Sequence, residues 1–177
     1  MAEAKPKAAL DYLNTTGQAE FEQAIGKLFE KNAWVAARTF EKRPFASLDD
    51  LYKAMTEVIF QASPAEQLEL ILSHPELVGR EAVSGTLSSQ SQNEQAKAGL
   101  TNLSPEEVAR FNEYNRAYRS QFGFPFIICA RKHHKSPILA AFPVRMQHRR
   151  DEEIQIALDE ICQILEFRLK DAVESSQ

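Results

Sequence analysis

The chain has 177 residues, is 44% hydrophobic, and carries a net charge of −4 with two cysteines. That length suits a single domain able to bury a core without disulfide or metal staples, and the mildly acidic balance argues against a nucleic-acid partner. No apolar run approaches the roughly 20 residues of a membrane span, and Met1 to Lys7 lack the apolar stretch of a signal peptide, so a cytoplasmic protein with no membrane partner is expected.

Helical periodicity runs through most of the chain. After Thr15-Thr16-Gly17, residues Phe21, Ile25 and Leu28 recur at helical spacing. Trp34 and Val35 belong to a short helix reaching about Lys42, which Pro44 interrupts. Ser47-Leu48-Asp49-Asp50 opens a helix with Leu51, Met55, Val58 and Ile59 on one stripe. Ser63-Pro64-Ala65-Glu66 joins an N-cap serine, a proline at the first helical position and a glutamate able to close a capping box. That helix carries Leu68, Ile71 and Leu72 inward and stops near Ser73, because Pro75 disfavours helical geometry at His74.

Residues 76–90 read as a loop, and a helix follows from about Ser91 to Leu100. Ser104-Pro105-Glu106-Glu107 repeats the start signal. It opens a long helix with Val108, Phe111, Tyr114 or Asn115, Tyr118 and Phe122 inward, ending at Gly123. The period then fails: Phe124-Pro125-Phe126-Ile127-Ile128-Cys129-Ala130 is apolar on every side, and its proline argues against a helix. Ser136-Pro137 begins another helix, and the last runs from about Arg150 to Val173. The expected fold is all-α: a single-domain bundle of seven to eight helices with one short non-helical apolar core segment. Cys129 and Cys162 stand far apart in apolar surroundings, fit no metal or disulfide spacing, and read as buried thiols of a reducing compartment.

Three places could carry chemistry. His74 leaves a helix end beside a rigid proline, and its imidazole suits proton transfer near neutral pH; the alternative is a surface-loop histidine, as expected for His133, His134 and His148. Ser91 and Glu94 form a Ser-x-x-Glu pattern that reads as another capping box, or as an anion-binding helix start with Gln95 as an orienting amide. Arg168 falls on or beside the stripe Ile154, Leu158, Ile161 and Leu165, where a guanidinium needs an anionic partner such as Glu94 or a substrate carboxylate. Arg145 is a second such cation, although Gln147-His148-Arg149-Arg150 reads as a solvated basic turn. No metal-ligand cluster, phosphate-cradling glycine loop or dinucleotide fingerprint is present, so an enzyme built from these parts works without metal or organic cofactor.

Together these stretches resemble a known family. His74-Pro75-Glu76-Leu77, Ser91-x-x-Glu94-Gln95-x-x-Ala98-Gly99-Leu100, Phe111-Asn112-x-x-Asn115-x-x-Tyr118, Phe122-Gly123-Phe124-Pro125-Phe126-Ile127 and Ile164-x-x-x-Arg168-Leu169 are similar, in order and spacing, to the OHCU decarboxylases over roughly residues 15–173. The family converts 2-oxo-4-hydroxy-4-carboxy-5-ureidoimidazoline (OHCU) to (S)-allantoin in urate degradation. The resemblance implies an all-helical, cofactor-free lyase that forms a homodimer and takes the small molecule OHCU as its partner. It places the catalytic histidine on His74 and the essential glutamate on Glu94. It places substrate contacts on Pro75, Ser91, Gln95, Phe126, Ile127, Ile128, Cys129, Ala130 and Arg168, with Gln92 and Asn93 in the variable stretch of the same site. The implied helical domain spans 15–173, between an N-terminal extension (1–14) and a short tail (174–177). Two rival readings remain: a helical adaptor that docks a partner through exposed Trp34, Phe45 and Tyr52, and a cofactor-free lyase or isomerase for a related heterocycle.

Overall fold

The computed structural model describes residues 8–29, 31–79, 82 and 84–174. The first seven residues of the expected extension, the last three of the expected tail, and Arg80 lie outside them. The all-α class holds. Nine α-helices can be bounded among the described residues: α1 (Leu10–Thr15), α2 (Gln18–Ile25), α3 (Ala33–Phe40), α4 (Leu48–Gln61), α5 (Pro64–Leu72), α6 (Ser89–Lys97), α7 (Pro105–Phe122), α8 (Lys135–Arg145) and α9 (Arg150–Ala172). Short 3-10 turns occupy Gly26–Phe29 and Ala130–Lys132. Two-residue strands, β1 (Ala8–Ala9) and β2 (Val173–Glu174), pair in parallel, with Ala8 opposite Val173. The additional helix is α1, which a polar N-terminal stretch concealed; its Leu10 and Leu13 are buried.

The chain forms two compact units: Met1–Gln67 with Leu165–Gln177, and Leu68–Ile164. In the first, Phe21, Ile25, Leu28 and Phe29 are buried with Val35, Leu51, Met55, Val58 and Ile59, so the stripes read from spacing are the ones that pack. Ser47 caps α4 by accepting from the Asp50 N–H at 3.1 Å, and Ser63 with Glu66 closes the capping box that opens α5. The turn before α4 is held by polar bonds. Asn14 Nδ2 donates to the Phe45 carbonyl and its Oδ1 accepts from the Phe45 N–H, at 2.9 and 2.8 Å. Arg43, which precedes the cis Pro44, donates to the Thr16 carbonyl at 2.7 Å and lies over the Phe40 ring. These contacts overturn the proposed docking patch: Phe45 is 3% exposed, and Trp34 and Tyr52 are half-buried.

The second unit is built around aromatic side chains of α7 and α8 and the stretch after Gly123. Ser104 and Glu107 form a complete capping box at the start of α7, and Gly123, at φ 81°, ends it in the left-handed geometry that favours glycine. Tyr118 meets Phe122, Phe124, Phe126 and Phe142, and Phe126 stacks on Phe142 at 3.8 Å between ring centres. Phe124 to Cys129 is non-helical and Phe124 to Ala130 is buried throughout, as the sequence predicts, while Ala130 opens the 3-10 turn. Asn115, not Tyr114, is the buried one of that pair. The inward face of α5 differs from expectation. Leu70 and Ile71 are buried while Leu72 is 45% exposed, because the face runs 70, 71, 74 and thereby turns His74 inward.

Candidate active site

His74 continues the buried stripe of α5, three residues beyond Ile71 and four beyond Leu70. It is 7% exposed, which removes the surface-loop reading. Its Nδ1 lies 2.8 Å from the Leu70 carbonyl oxygen. A carbonyl can only accept, so Nδ1 carries the proton, and Nε2 is the ring nitrogen that holds a lone pair in the neutral imidazole. One backbone bond thus sets both tautomer and ring orientation.

The loop after His74 is pinned at three successive residues. Glu76 takes the Arg119 guanidinium at 2.7 Å, Asn115 Nδ2 donates to the buried Leu77 carbonyl at 2.8 Å, and the Val78 N–H donates to Gln95 Oε1 at 3.1 Å. Val78 sits at φ 55°, a conformation that costs a β-branched residue about 1–3 kcal/mol, so the pins at and before it have strain to hold. Gly79 is required by space: a Cβ there would meet Glu76 Cβ at 2.8 Å.

Ser91 is buried inside α6 and does not cap it. The cap is Ser88, whose Oγ accepts from the Ser91 N–H at 3.2 Å and donates to Ser91 Oγ at 3.1 Å. The capping reading of Ser91 and Glu94 therefore fails. Glu94 is half-buried on the same helix, which packs against the Ala130–Lys132 turn. Gln92 and Asn93 are exposed, and Gln92 Nε2 donates to the Leu87 carbonyl at 3.1 Å. Gln95 is buried, and its oxygen serves the Val78 pin. Pro75 is half-buried between His74 and that pinned loop.

The apolar stretch Phe126 to Ala130 is tied by charged groups. The Ile127 carbonyl accepts from Arg145 Nη1 at 2.5 Å, and the Cys129 N–H donates to Glu160 Oε2 at 2.7 Å. The Cys129 carbonyl accepts from the Lys132 N–H at 3.0 Å. Both cysteines are free and buried, as expected. Burial, helped by the charges of Glu160 and Glu94, pushes the Cys129 thiol up to about 11, and burial pushes Cys162 up to about 12. Neither is a nucleophile near neutral pH.

Sequence reasoning missed Glu153. This carboxylate is 0% exposed and gathers three side chains. Arg145 reaches it through Nε at 2.9 Å and Nη2 at 2.8 Å, His148 Nδ1 lies 2.7 Å away, and the Tyr118 hydroxyl donates to it. Burial pushes the Glu153 carboxyl up, but hydrogen bonds from Arg145, Tyr118 and His148 outweigh it and hold it below its ordinary range. Burial raises the Tyr118 phenol well above its own. The expected solvated turn is thus corrected at His148, which is bound to a buried anion, while Arg145, the second candidate cation, is buried against an anionic partner. The available signal was the spacing 153, 157, 161, 165 along α9, which puts Glu153 in line with buried Ala157 and Ile161.

Arg168 belongs to the first unit. It is 3% exposed, and its Nη1 donates to the Leu28 carbonyl at 3.1 Å, so it lies on the core side of α9 as its spacing suggests. His74, Pro75, Ser91, Glu94, Gln95 and Phe126 to Ala130 belong to the second unit. Among the described residues, no group of three or more His, Cys, Asp or Glu side chains could hold a metal ion, and no helix is long and apolar enough to cross a membrane.

Residues 14–170 match the family model described as OHCU decarboxylase. The chain belongs to this family. It is 37% identical over 165 residues to the 2-oxo-4-hydroxy-4-carboxy-5-ureidoimidazoline decarboxylase of Halalkalicoccus jeotgali, covering 93% of this chain and 92% of that one. It is 36% identical over 162 residues to the decarboxylase of the same name from Amia calva, covering 92% and 93%. A uric acid degradation bifunctional protein of Bacillus subtilis is 37% identical over 164 residues, or 93% of this chain and 32% of that longer protein. Among solved structures, the OHCU decarboxylase fold recurs in a crystal structure of (S)-allantoin synthase, with TM-score 0.74 and 28% identity. That match covers 96% of this chain but only 54% of that one, about half its length.

Proposed function

We propose that this chain decarboxylates 2-oxo-4-hydroxy-4-carboxy-5-ureidoimidazoline to (S)-allantoin in urate degradation. The observation that carries the reading is near-full-length similarity to proteins named for this activity, over a region that includes His74, Glu94 and Arg168. The substrate bears its carboxylate on a carbon that also holds a hydroxyl and adjoins a ring C=N. When carbon dioxide leaves, the bonding pair forms a C=C bond and the C=N pair moves onto nitrogen, so the substrate supplies its own electron sink. Protonation of the carbon bearing the ureido group, with the hydroxyl proton passing to that ring nitrogen, then gives the ring carbonyl, the ring N–H and the new stereocentre.

Three tasks fall to the protein. The carboxylate must be held with its C–C bond aligned to the π system, developing charge must be stabilised, and the proton must reach one face only. His74 is assigned the proton, which Nε2 takes up from solvent and delivers to the carbon while Nδ1–H stays on the Leu70 carbonyl. Because that carbonyl fixes the tautomer, Glu94 is assigned to polarising the substrate. Arg168 and the polar groups at Ser91 and Gln95 are assigned to its anionic and ureido groups, with Pro75, Gln92 and Asn93 beside them, and main-chain groups from Phe126 to Ala130 read the flat ring edge. A homodimer in the cytoplasm is part of the proposal; sedimentation equilibrium tests the dimer, and the buried free thiols fit a reducing compartment.

Freshly oxidised urate, followed by circular dichroism, tests the activity. Wild type is expected to give optically pure (S)-allantoin. His74→Asn should fold and lose about 10²–10⁴-fold in rate, and Glu94→Ala should lose turnover as well. Near wild-type production of pure (S)-allantoin by His74→Asn removes the histidine from the mechanism.

A further inference from the structure

Two peptide units flank Ile128, and each is held on one side by a charged side chain. Arg145 holds the Ile127 carbonyl at 2.5 Å. Glu160 holds the Cys129 N–H at 2.7 Å. Both peptide bonds are trans; the one cis bond among the described residues precedes Pro44. In a planar trans unit the C=O and the following N–H point in opposite directions. Fixing the Ile127 carbonyl therefore aims the Ile128 N–H away from Arg145, and fixing the Cys129 N–H aims the Ile128 carbonyl away from Glu160. Those two groups are the main-chain donor and acceptor of Ile128, and neither has a hydrogen-bond partner among the described residues. Ile128 is itself buried. Buried main-chain groups are nearly always paired, so an unpartnered N–H and C=O on one residue marks a place where something else binds.

The clamps are costly to maintain. Arg145 is buried under Phe126, its guanidinium carbon 4.5 Å from the ring centre, with buried Glu153 standing against it as counter-charge. Apolar side chains of the same volume would fill that space with equal or better stability. What they would not supply is a rigid fork that fixes one carbonyl in direction.

We propose that Arg145, backed by Glu153, and Glu160 are positioning residues that aim the Ile128 N–H and C=O, as a donor–acceptor pair, at the complementary C=O and N–H of a ureide. The inference rests on the decarboxylase reading, whose substrate and product both have a cyclic ureide as their ring, with the C=O and N–H side by side on its flat edge. Glu160 is half-buried, so its variants can be made without opening the core.

The test measures (S)-allantoin binding by calorimetry and steady-state kinetics on OHCU, each beside a thermal melt. Loss of the aiming contact in Glu160→Ala should raise Kd and KM about tenfold, close to the worth of one hydrogen bond, with kcat changed far less. Glu160→Gln keeps an acceptor oxygen at the same reach and should return KM to within about threefold of wild type. Arg145→Lys, which keeps the charge but not the fork, should raise KM as Glu160→Ala does. A Glu160→Ala protein with wild-type KM, or a Gln variant as impaired as the Ala variant, overturns the positioning role while leaving the decarboxylase intact. A wild type that neither turns over OHCU nor binds (S)-allantoin overturns both.

Discussion

Replacing Glu153 with alanine removes the one anion that Arg145, His148 and Tyr118 share. The guanidinium then stays buried without a counter-charge, and breaking a buried pair from one side costs about 3–5 kcal/mol. The Tyr118 hydroxyl also loses its acceptor, adding about 1–3 kcal/mol if nothing replaces it. Against a typical total stability of about 5–15 kcal/mol, a loss near 4 kcal/mol is a large share. With a urea slope of about 1–3 kcal/mol/M, the midpoint should fall by about 2 M in unfolding followed by far-ultraviolet circular dichroism. The control is Arg145→Met combined with Glu153→Leu, which removes both charges and should recover most of the stability, because the desolvation cost goes with them. A Glu153→Ala protein within about 1 kcal/mol of wild type, below the low end for a broken buried pair, refutes the reasoning. So does a double variant as weak as the single one.

Asn115→Ala should cost about 1–3 kcal/mol in the same assay, because it leaves the buried Leu77 carbonyl without its donor; a neutral result means that carbonyl does not depend on Asn115. Glu66 is held down to about 2, chiefly by its bond to Arg38 with help from Ser63. A carboxylate depressed in the folded state contributes stability fully above its unfolded value and loses it as pH falls through the folded one. The melting-temperature gap between wild type and Glu66→Gln should therefore be constant above about pH 5 and close between about 4.5 and 2; a gap that persists at pH 2 contradicts the assignment. Cys129 and Cys162, raised to about 11 and 12 mainly by burial, should resist a thiol reagent at pH 8 until the protein is unfolded in denaturant, and rapid labelling of either in the native state speaks against their burial.

The helix starts were legible because their causes are local. Ser63-Pro64-Ala65-Glu66 and Ser104-Pro105-Glu106-Glu107 carry cap, proline and return bond within four residues, and both boxes form. The same logic misled at Ser91-x-x-Glu94, where Ser88, three residues earlier, takes the cap. The buried stretch after Gly123 was legible from unbroken apolarity, and Arg168 from its place on a stripe. The inward turn of His74 was half-legible: the helix end was read from Pro75, but not that the buried face of α5 continues through it. The carboxylate partner of Arg145 was hidden, because charge-rich Arg149 to Glu153 reads as solvated surface. Its bond to Tyr118, 35 residues away, is a contact that no local pattern announces. The left-handed Val78 was hidden too, since its hold comes from Gln95, 17 residues on.

The pairing of Ala8–Ala9 with Val173–Glu174 bears on biosynthesis. The unit holding residues 8–67 also needs the stretch from Leu165 onward, whereas Leu68–Ile164 is continuous. On a ribosome the earlier-made helices must wait for the last-made ones, so the middle of the chain can assemble while the first-synthesised third is still incomplete. A nascent polypeptide stalled before Leu165 should therefore protect the central region from protease and leave the leading one open to cleavage.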